Sequence, residues 1–251
     1  MTPGLYVYGI VATGSVPGPL REHGVGDGPP VLFDVDGLSA IVSGIDVSEY
    51  EGAALERNAA TPEWLELKVR GHEAVVEGVL AHATVVPMRF GSIFSSTESL
   101  QKMLTEHADA LREALTRVEA RTEWGVKVHC DRSRLVSALV GSSPEPDSGR
   151  GYLMQKKARL EADARAAEAA AEIAAEAHAA LAAVASESVA APPRGEEILN
   201  GAYLVDEAGR DEFMRKVEEL QRRHEGAFAF EVTGPWPPYS FTSADVGGPR
   251  P

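Results

Sequence analysis

Residues 5–11, LYVYGIV, carry apolar or aromatic side chains on both faces of an extended chain, which predicts a strand buried on both sides. The apolar runs VLFDV and LSAIVSGI flank Asp36-Gly37, and an Asp-Gly pair between two such runs predicts a hairpin. The same turn rules out a calcium loop at Asp34 and Asp36, because the remaining ligand positions and the closing Glu are missing. The pattern then changes to helical. TPEW at 61–64 opens a helix with Thr61 as N-cap, Pro62 in the first helical position and Glu63 in the first turn. Leu65, Val69, His72, Val76 and Val79 continue it to about Ala83. TVVPMRFG at 84–91 reads as a strand that Pro87 confines to an edge or a bulge. A second helix runs from Ser96 or Thr97 to about Ala120, with Leu100, Met103 or Leu104, Leu111, Leu115 and Val118 on one stripe. TEWGVKVHC at 122–130 alternates as a strand with Trp124, Val126 and Val128 on one face.

GSSPEPDSGRG at 141–151 reads as a linker. Beyond it, more than half of residues 158–185 are alanine, the best helix former, so 152–186 is predicted as one helix about 50 Å long. Leu153, Leu160, Ala164, Ala167, Ala171, Ala174, His178 and Leu181 step along it by seven, four and three, a heptad-like seam of mostly small side chains. The seam fits a helix packed on its own domain or one laid against a partner helix. Lys156, Lys157 and Arg159 crowd the helix N-terminus, which the helix dipole disfavours, while Glu168, Glu172 and Glu176 repel at four-residue spacing. APPRG breaks the pattern at 191–195. A strand over 198–206, a helix over 209–224 carrying Phe213, Val217 and Leu220, and a strand over 227–234 follow. From 122 onward this order is close to a split βαβ of ferredoxin-like type, one strand short. The whole reads as α+β in two domains: 1–121, an N-terminal α+β domain; 122–241, a ferredoxin-like domain with the long Ala-rich helix; and 242–251, a disordered tail.

The net charge of −14 excludes a nucleic-acid partner, whose phosphates need concentrated Lys and Arg, and gives no attraction to an anionic membrane. No run of apolar residues is long enough for a transmembrane helix, and MTPGLYVYGIV lacks the basic start and cleavage pattern of a signal peptide. The single cysteine, Cys130, fits a reducing cytoplasm and a buried position on its strand. No phosphate-binding glycine loop, nucleophile elbow, zinc-protease helix or Cys-x-x-Cys pair is present. His72 and His82 stand too far apart on one helix to chelate an ion together, and His129 points to the strand face opposite Cys130. These readings predict no catalytic residue, cofactor or metal. The alternative is a small-molecule enzyme or binding module on a ferredoxin-like scaffold, which requires a deep pocket with convergent polar groups.

One stretch stands apart. GPWPPYSF, 234–241, gathers three prolines and three aromatic rings in a chain that is only 6% aromatic. Following a Phe-alternating strand, it resembles the C-terminal signature of the GvpF/GvpL family of gas vesicle proteins. YVYGIV, VVPMRFGSIF, EWGVKV, GYLMQKK and LNGAYLV resemble stretches of the same family in the same order, from about residue 5 to 241. The resemblance implies two α+β domains, the second ferredoxin-like. It implies a non-enzymatic, cytoplasmic accessory or minor structural component of the gas vesicle, with the shell protein GvpA and other Gvp proteins as partners.

The residues matching these motifs become candidates for structural or partner contacts. In the first part of the chain they are Pro87, Met88, Arg89, Phe90 and Gly91. Further on they are Trp124, Lys127, Tyr152, Lys156, Asn200, Gly201 and Tyr203. The last group is Gly234, Pro235, Trp236, Pro237, Pro238, Tyr239, Ser240 and Phe241. Physically, the three prolines pre-set the backbone, and Trp236, Tyr239 and Phe241 have large rings to bury at a sheet end or a domain junction. Cis peptides are open at Trp236–Pro237 and Pro237–Pro238. Arg89 is expected to reach a carboxylate, whereas Lys127, Lys156 and Lys157 are expected as solvated charges.

Overall fold

The structure, a computed structural model, describes residues 2–26, 28–140 and 148–242. Most of the linker expected at 141–151, and the tail beyond Thr242, lie outside the described residues. The chain combines helix and sheet in two compact units, one of residues 1–121 and 236–251, the other of residues 122–235. The second unit ends at Pro235 rather than at 241, because the residues after it pack with the first.

The first unit opens with β1 (Pro3–Ala12), followed by β2 (Val31–Val35) and β3 (Leu38–Asp46). The hairpin predicted at Asp36-Gly37 is present: both residues have positive φ, 49° and 82°, as a two-residue turn of that twist requires. A helix the sequence pattern did not announce, α1 (Gly52–Ala59), precedes α2 (Pro62–Leu80), which starts at the expected Thr61-Pro62. The strand predicted over 84–91 shrinks to β4 (Val86–Pro87), and β5 (Ile93–Phe94) follows it. The sheet order is β2-β3-β1-β4, with β5 also paired to β1, so Pro87 does sit on an edge. The second expected helix is broken into α3 (Thr97–Glu106) and α4 (Ala108–Val118) at His107. A continuous stripe through Leu100, Leu104 and Leu111 would have carried the His107 imidazole into the core; the break leaves it half-buried.

A bulge in β1 decides what faces what. The register against β3 slips between Val7 and Gly9, which flips the alternation of the strand. Tyr6, Tyr8 and Val11 therefore join Val75, Val76 and Val79 of α2, while Val7 and Ile10 join Leu100, Leu104, Leu111 and Leu115 of α3 and α4. Helices thus cover β1 from both sides, and its sequence is apolar on both faces for that reason. Gly9 lies where any Cβ would come 3.0 Å from the Val86 carbonyl oxygen, so the bulge needs glycine there.

In the second unit β6 (Arg121–Cys130) buries Trp124, Val126, Val128 and Cys130 in strict alternation. Two helices follow: α5 (Arg132–Val140), which the sequence pattern missed, and α6 (Gly149–Ala182), the long Ala-rich helix. Next come β7 (Glu187–Ala191), β8 (Glu197–Asp206), α7 (Arg210–Arg223) and β9 (Phe228–Trp236). The sheet order is β7-β8-β6-β9. Its core sets Trp124, Val126 and Val128 with Leu199, Tyr203 and Val205, under Ala177 and Leu181 of α6 and Phe213, Val217 and Leu220 of α7. The strand missing from the sequence reading is β7. Among the described residues no helix is long and apolar enough to cross a membrane.

Candidate functional site

The GPWPPYSF stretch leads to an aromatic cluster in the first unit. Pro237, Pro238 and Phe241 are buried, while Trp236 remains 41% exposed, so the expected burial of all three rings holds only in part. Thr242, expected in a disordered tail, is buried and donates through Oγ1 to the Pro238 carbonyl at 2.9 Å. The backbone N–H groups of Tyr239 and Phe241 donate to the carbonyls of Pro237 and Pro238 at 2.8 and 3.1 Å, which coils the segment into consecutive tight turns. The cis bond falls at Gly234–Pro235, not at the two later prolines.

Tyr239 delivers its hydroxyl 2.9 Å from Nε2 of His72, whose other ring nitrogen, Nδ1, lies 2.9 Å from the Tyr6 hydroxyl. The Tyr6 oxygen accepts the Gly91 N–H at 3.0 Å. The His72 tautomer sets which of the two hydroxyls donates to the ring and which accepts from it. Phe90 closes the ring, edge-on to His72 and Tyr6 with centroids 5.9 and 6.2 Å away, and the Tyr8 ring stacks on His72 at 5.8 Å. Tyr8 donates to Ser43 Oγ at 2.9 Å and accepts the Val25 N–H at 2.6 Å. Burial pushes the Tyr6 hydroxyl well above the ordinary phenol range and raises the Tyr8 hydroxyl as well. The same burial pushes His72 down to about 4, against a smaller opposing pull from the Met88 backbone.

Of the sequence candidates, Phe90, Gly91 and Tyr239 are brought together here, around Tyr6 and Tyr8 of the YVYGIV motif and around His72, which no motif singled out. His72 sits on the apolar stripe of α2 and reads as core; its partners are remote along the chain. Met88 lies on the opposite face of the sheet with Val86 and Leu104. Arg89 corrects an expectation: it is exposed and makes no ion pair among the described residues. The other candidates belong to the second unit. Trp124 is buried, with the Arg210 guanidinium 5.4 Å from its ring centroid. Lys127, expected as a solvated charge, pairs with Glu197 at 3.1 Å. Two groups hold the Glu197 carboxyl below its usual range, first the Arg194 backbone N–H and then Lys127. Tyr203 is buried beside Gly201 and bonds Nδ1 of His178 at 3.0 Å. Asn200 is half-buried on the same strand, Tyr152 and Lys156 are exposed on α6, and Gly234, Pro235 and Ser240 are exposed.

The buried histidine is held by hydroxyls and rings, and among the described residues no carboxylate or second histidine pairs with it. Among the described residues no group of three His, Cys, Asp or Glu side chains is placed to hold a metal ion. A cleft of about 440 Å³ opens elsewhere in the first unit, lined in part by Ser15, Thr84, Arg112, Thr116 and Glu119.

The sequence model of the family described as gas vesicle synthesis protein GvpL/GvpF matches residues 4–243. The chain belongs to the GvpL/GvpF family. Gas vesicle protein F1 of Halobacterium salinarum is 30% identical to it, with 98% of this chain and 96% of that protein covered. Gas vesicle protein L of a Streptomyces strain is 29% identical, with 94% and 91% covered. The fold is shared with crystal structures of GvpF from Anabaena sp. PCC7120 (TM-score 0.73, 20% identity, 96% of each chain) and Microcystis aeruginosa (TM-score 0.68, 22% identity, 95% and 98% of the two chains). This family membership makes the chain a gas vesicle protein, involved in gas vesicle formation. The F-named and L-named relatives lie almost equally far from it.

Proposed function

We propose that this chain is a non-enzymatic accessory protein of gas vesicle formation that works in the cytoplasm and binds the shell protein GvpA and other Gvp proteins. Its two units act as two α+β domains. The strand order β7-β8-β6-β9, joined in sequence as β6, α6, β7, β8, α7, β9, supports a ferredoxin-like second domain.

The observation that carries the binding reading is the free edge of the first sheet. Among the described residues β2 pairs only with β3, and on it Val31 is 59% exposed with Leu32 exposed beside it. Val35 and Leu38 flank the two-residue turn and form a hydrogen-bonded pair, so Val31, Phe33 and Val35 bond inward to β3. Leu32 and Asp34 then turn their backbone N–H groups outward, where another strand is able to pair. An apolar shell subunit added to this edge would cover Val31 and Leu32, and the charge of −14 would keep the pair dispersed.

Leu32→Pro removes one outward N–H and leaves the bonds to β3 in place. In co-purification with GvpA, the full-length variant is expected to retain at least about tenfold less GvpA than the parent chain. Undiminished retention by a folded variant would exclude the edge as the binding surface; no retention by the parent chain would exclude GvpA as the direct partner. The full chain is needed, because a fragment ending at residue 121 lacks the 236–242 segment of its own unit.

A further inference from the structure

The α6 helix is longer than its own unit can cover. Its C-terminal half packs on the second sheet through Ala177 and Leu181, with Ala174 half-buried beside them. In its N-terminal half Ala162 and Ala166 pack against Val136 of α5. The remaining face of that half is the seam seen in the sequence. Leu153 and Leu160 are 65% and 63% exposed, and Ala164, Ala167 and Ala171 are exposed in line with them. Two leucines in water on the same helical stripe cost about 2 kcal/mol each relative to burial.

We infer that this face is a self-association surface, occupied by the same helix of a second copy in antiparallel orientation. The large side chains lie in the N-terminal part of the stripe and the small ones in the C-terminal part, so only antiparallel pairing sets large against small. The register that places Leu160 over Ala164 of the other copy also places Leu153 over its Ala171. Alanine at these positions lets the two backbones come to about 8 Å. The charges agree with the same register. Lys157 and Glu168 are eleven residues apart, about three turns, and so flank the seam on the same side. In an antiparallel pair residues on the same flank meet, which puts Lys157 against Glu168 twice, once on each side of the two-fold axis. Within the chain Lys157 reaches only Glu161, at 3.8 Å, and Glu168 has no ion-pair partner among the described residues. Parallel pairing would set Lys157 against Lys157 and Leu against Leu.

The pair overlaps over residues 153–171, about 28 Å of helix, and buries an area at the small end of specific interfaces. Sedimentation velocity of the full-length chain over a concentration series is therefore expected to give a dimer with a dissociation constant on the order of 10 μM. Leu160→Glu should weaken it at least about tenfold. Lys157→Glu alone and Glu168→Lys alone should each weaken it about three- to tenfold, and the double exchange should return it to within about threefold of the parent. All these positions are exposed, so circular dichroism should show unchanged helix content in each variant. A parent chain still monomeric at about 100 μM would overturn the inference. So would a double exchange no better than the two single ones, since the paired register would then be wrong.

Discussion

Lowering the pH from 6.5 to 4 is expected to remove about 3 kcal/mol of folding stability through His72 alone. Its imidazole is 2% exposed and held down to about 4, against an ordinary value of 6.5. In the unfolded chain it takes up a proton near 6.5; in the folded chain it does so only near 4. Between those values the unfolded state binds one proton more, so each step down in pH favours unfolding. The stabilisation is complete above 6.5, falls through the window and is gone below about 4. The cause is the surroundings. The ring lies between the Tyr6 and Tyr239 hydroxyls and among Tyr8 and Phe90, and among the described residues no carboxylate compensates a charge there. Urea unfolding at pH 7, 5.5 and 4.5 measures the effect. His72→Gln, which keeps hydrogen-bonding capacity without a titrating group, should flatten the dependence between 6.5 and 4 at a lower overall stability. An unchanged pH dependence in that variant would show that another group carries it.

The elements that could be read from the sequence were those with a local signal. Asp-Gly between apolar runs gave the hairpin, Thr-Pro-Glu-Trp gave the start of α2, and strict alternation gave the buried face of β6. The pattern failed where the deciding contact is remote or the composition is neutral. β7 reads Glu-Ser-Val-Ala-Ala, which carries no β signature after a long alanine run; its pairing with β8 through Ser188 and Tyr203 makes it a strand. The break at His107 keeps a polar ring out of the core, a demand the apolar stripe itself does not announce. The aromatic cluster was half legible. GPWPPYSF and the Phe90-Gly91 pair stood out by composition and resemblance, but His72 meets Tyr239 from 167 residues away, and nothing local marks that meeting.

The same geometry separates two roles open to GPWPPYSF, a structural lock on the first unit and a contact for a partner. Phe241→Ala is expected to destabilise the first unit by about 3–5 kcal/mol, because the ring is buried and leaves a cavity that the turns held by Pro237 and Pro238 have little freedom to fill. Trp236→Ala, five positions earlier, should cost under about 1 kcal/mol, since that ring is half in water already. If the stretch acts only as a lock, GvpA capture will follow stability across the two variants, and Trp236→Ala will bind as the parent does. If Trp236 is a partner contact, its variant will stay folded and lose capture. Guanidinium unfolding and co-purification on the same two proteins decide between these outcomes. A Phe241→Ala variant as stable as the parent would remove the lock reading, because the remaining rings of the stretch are each partly open to solvent and have less burial to lose.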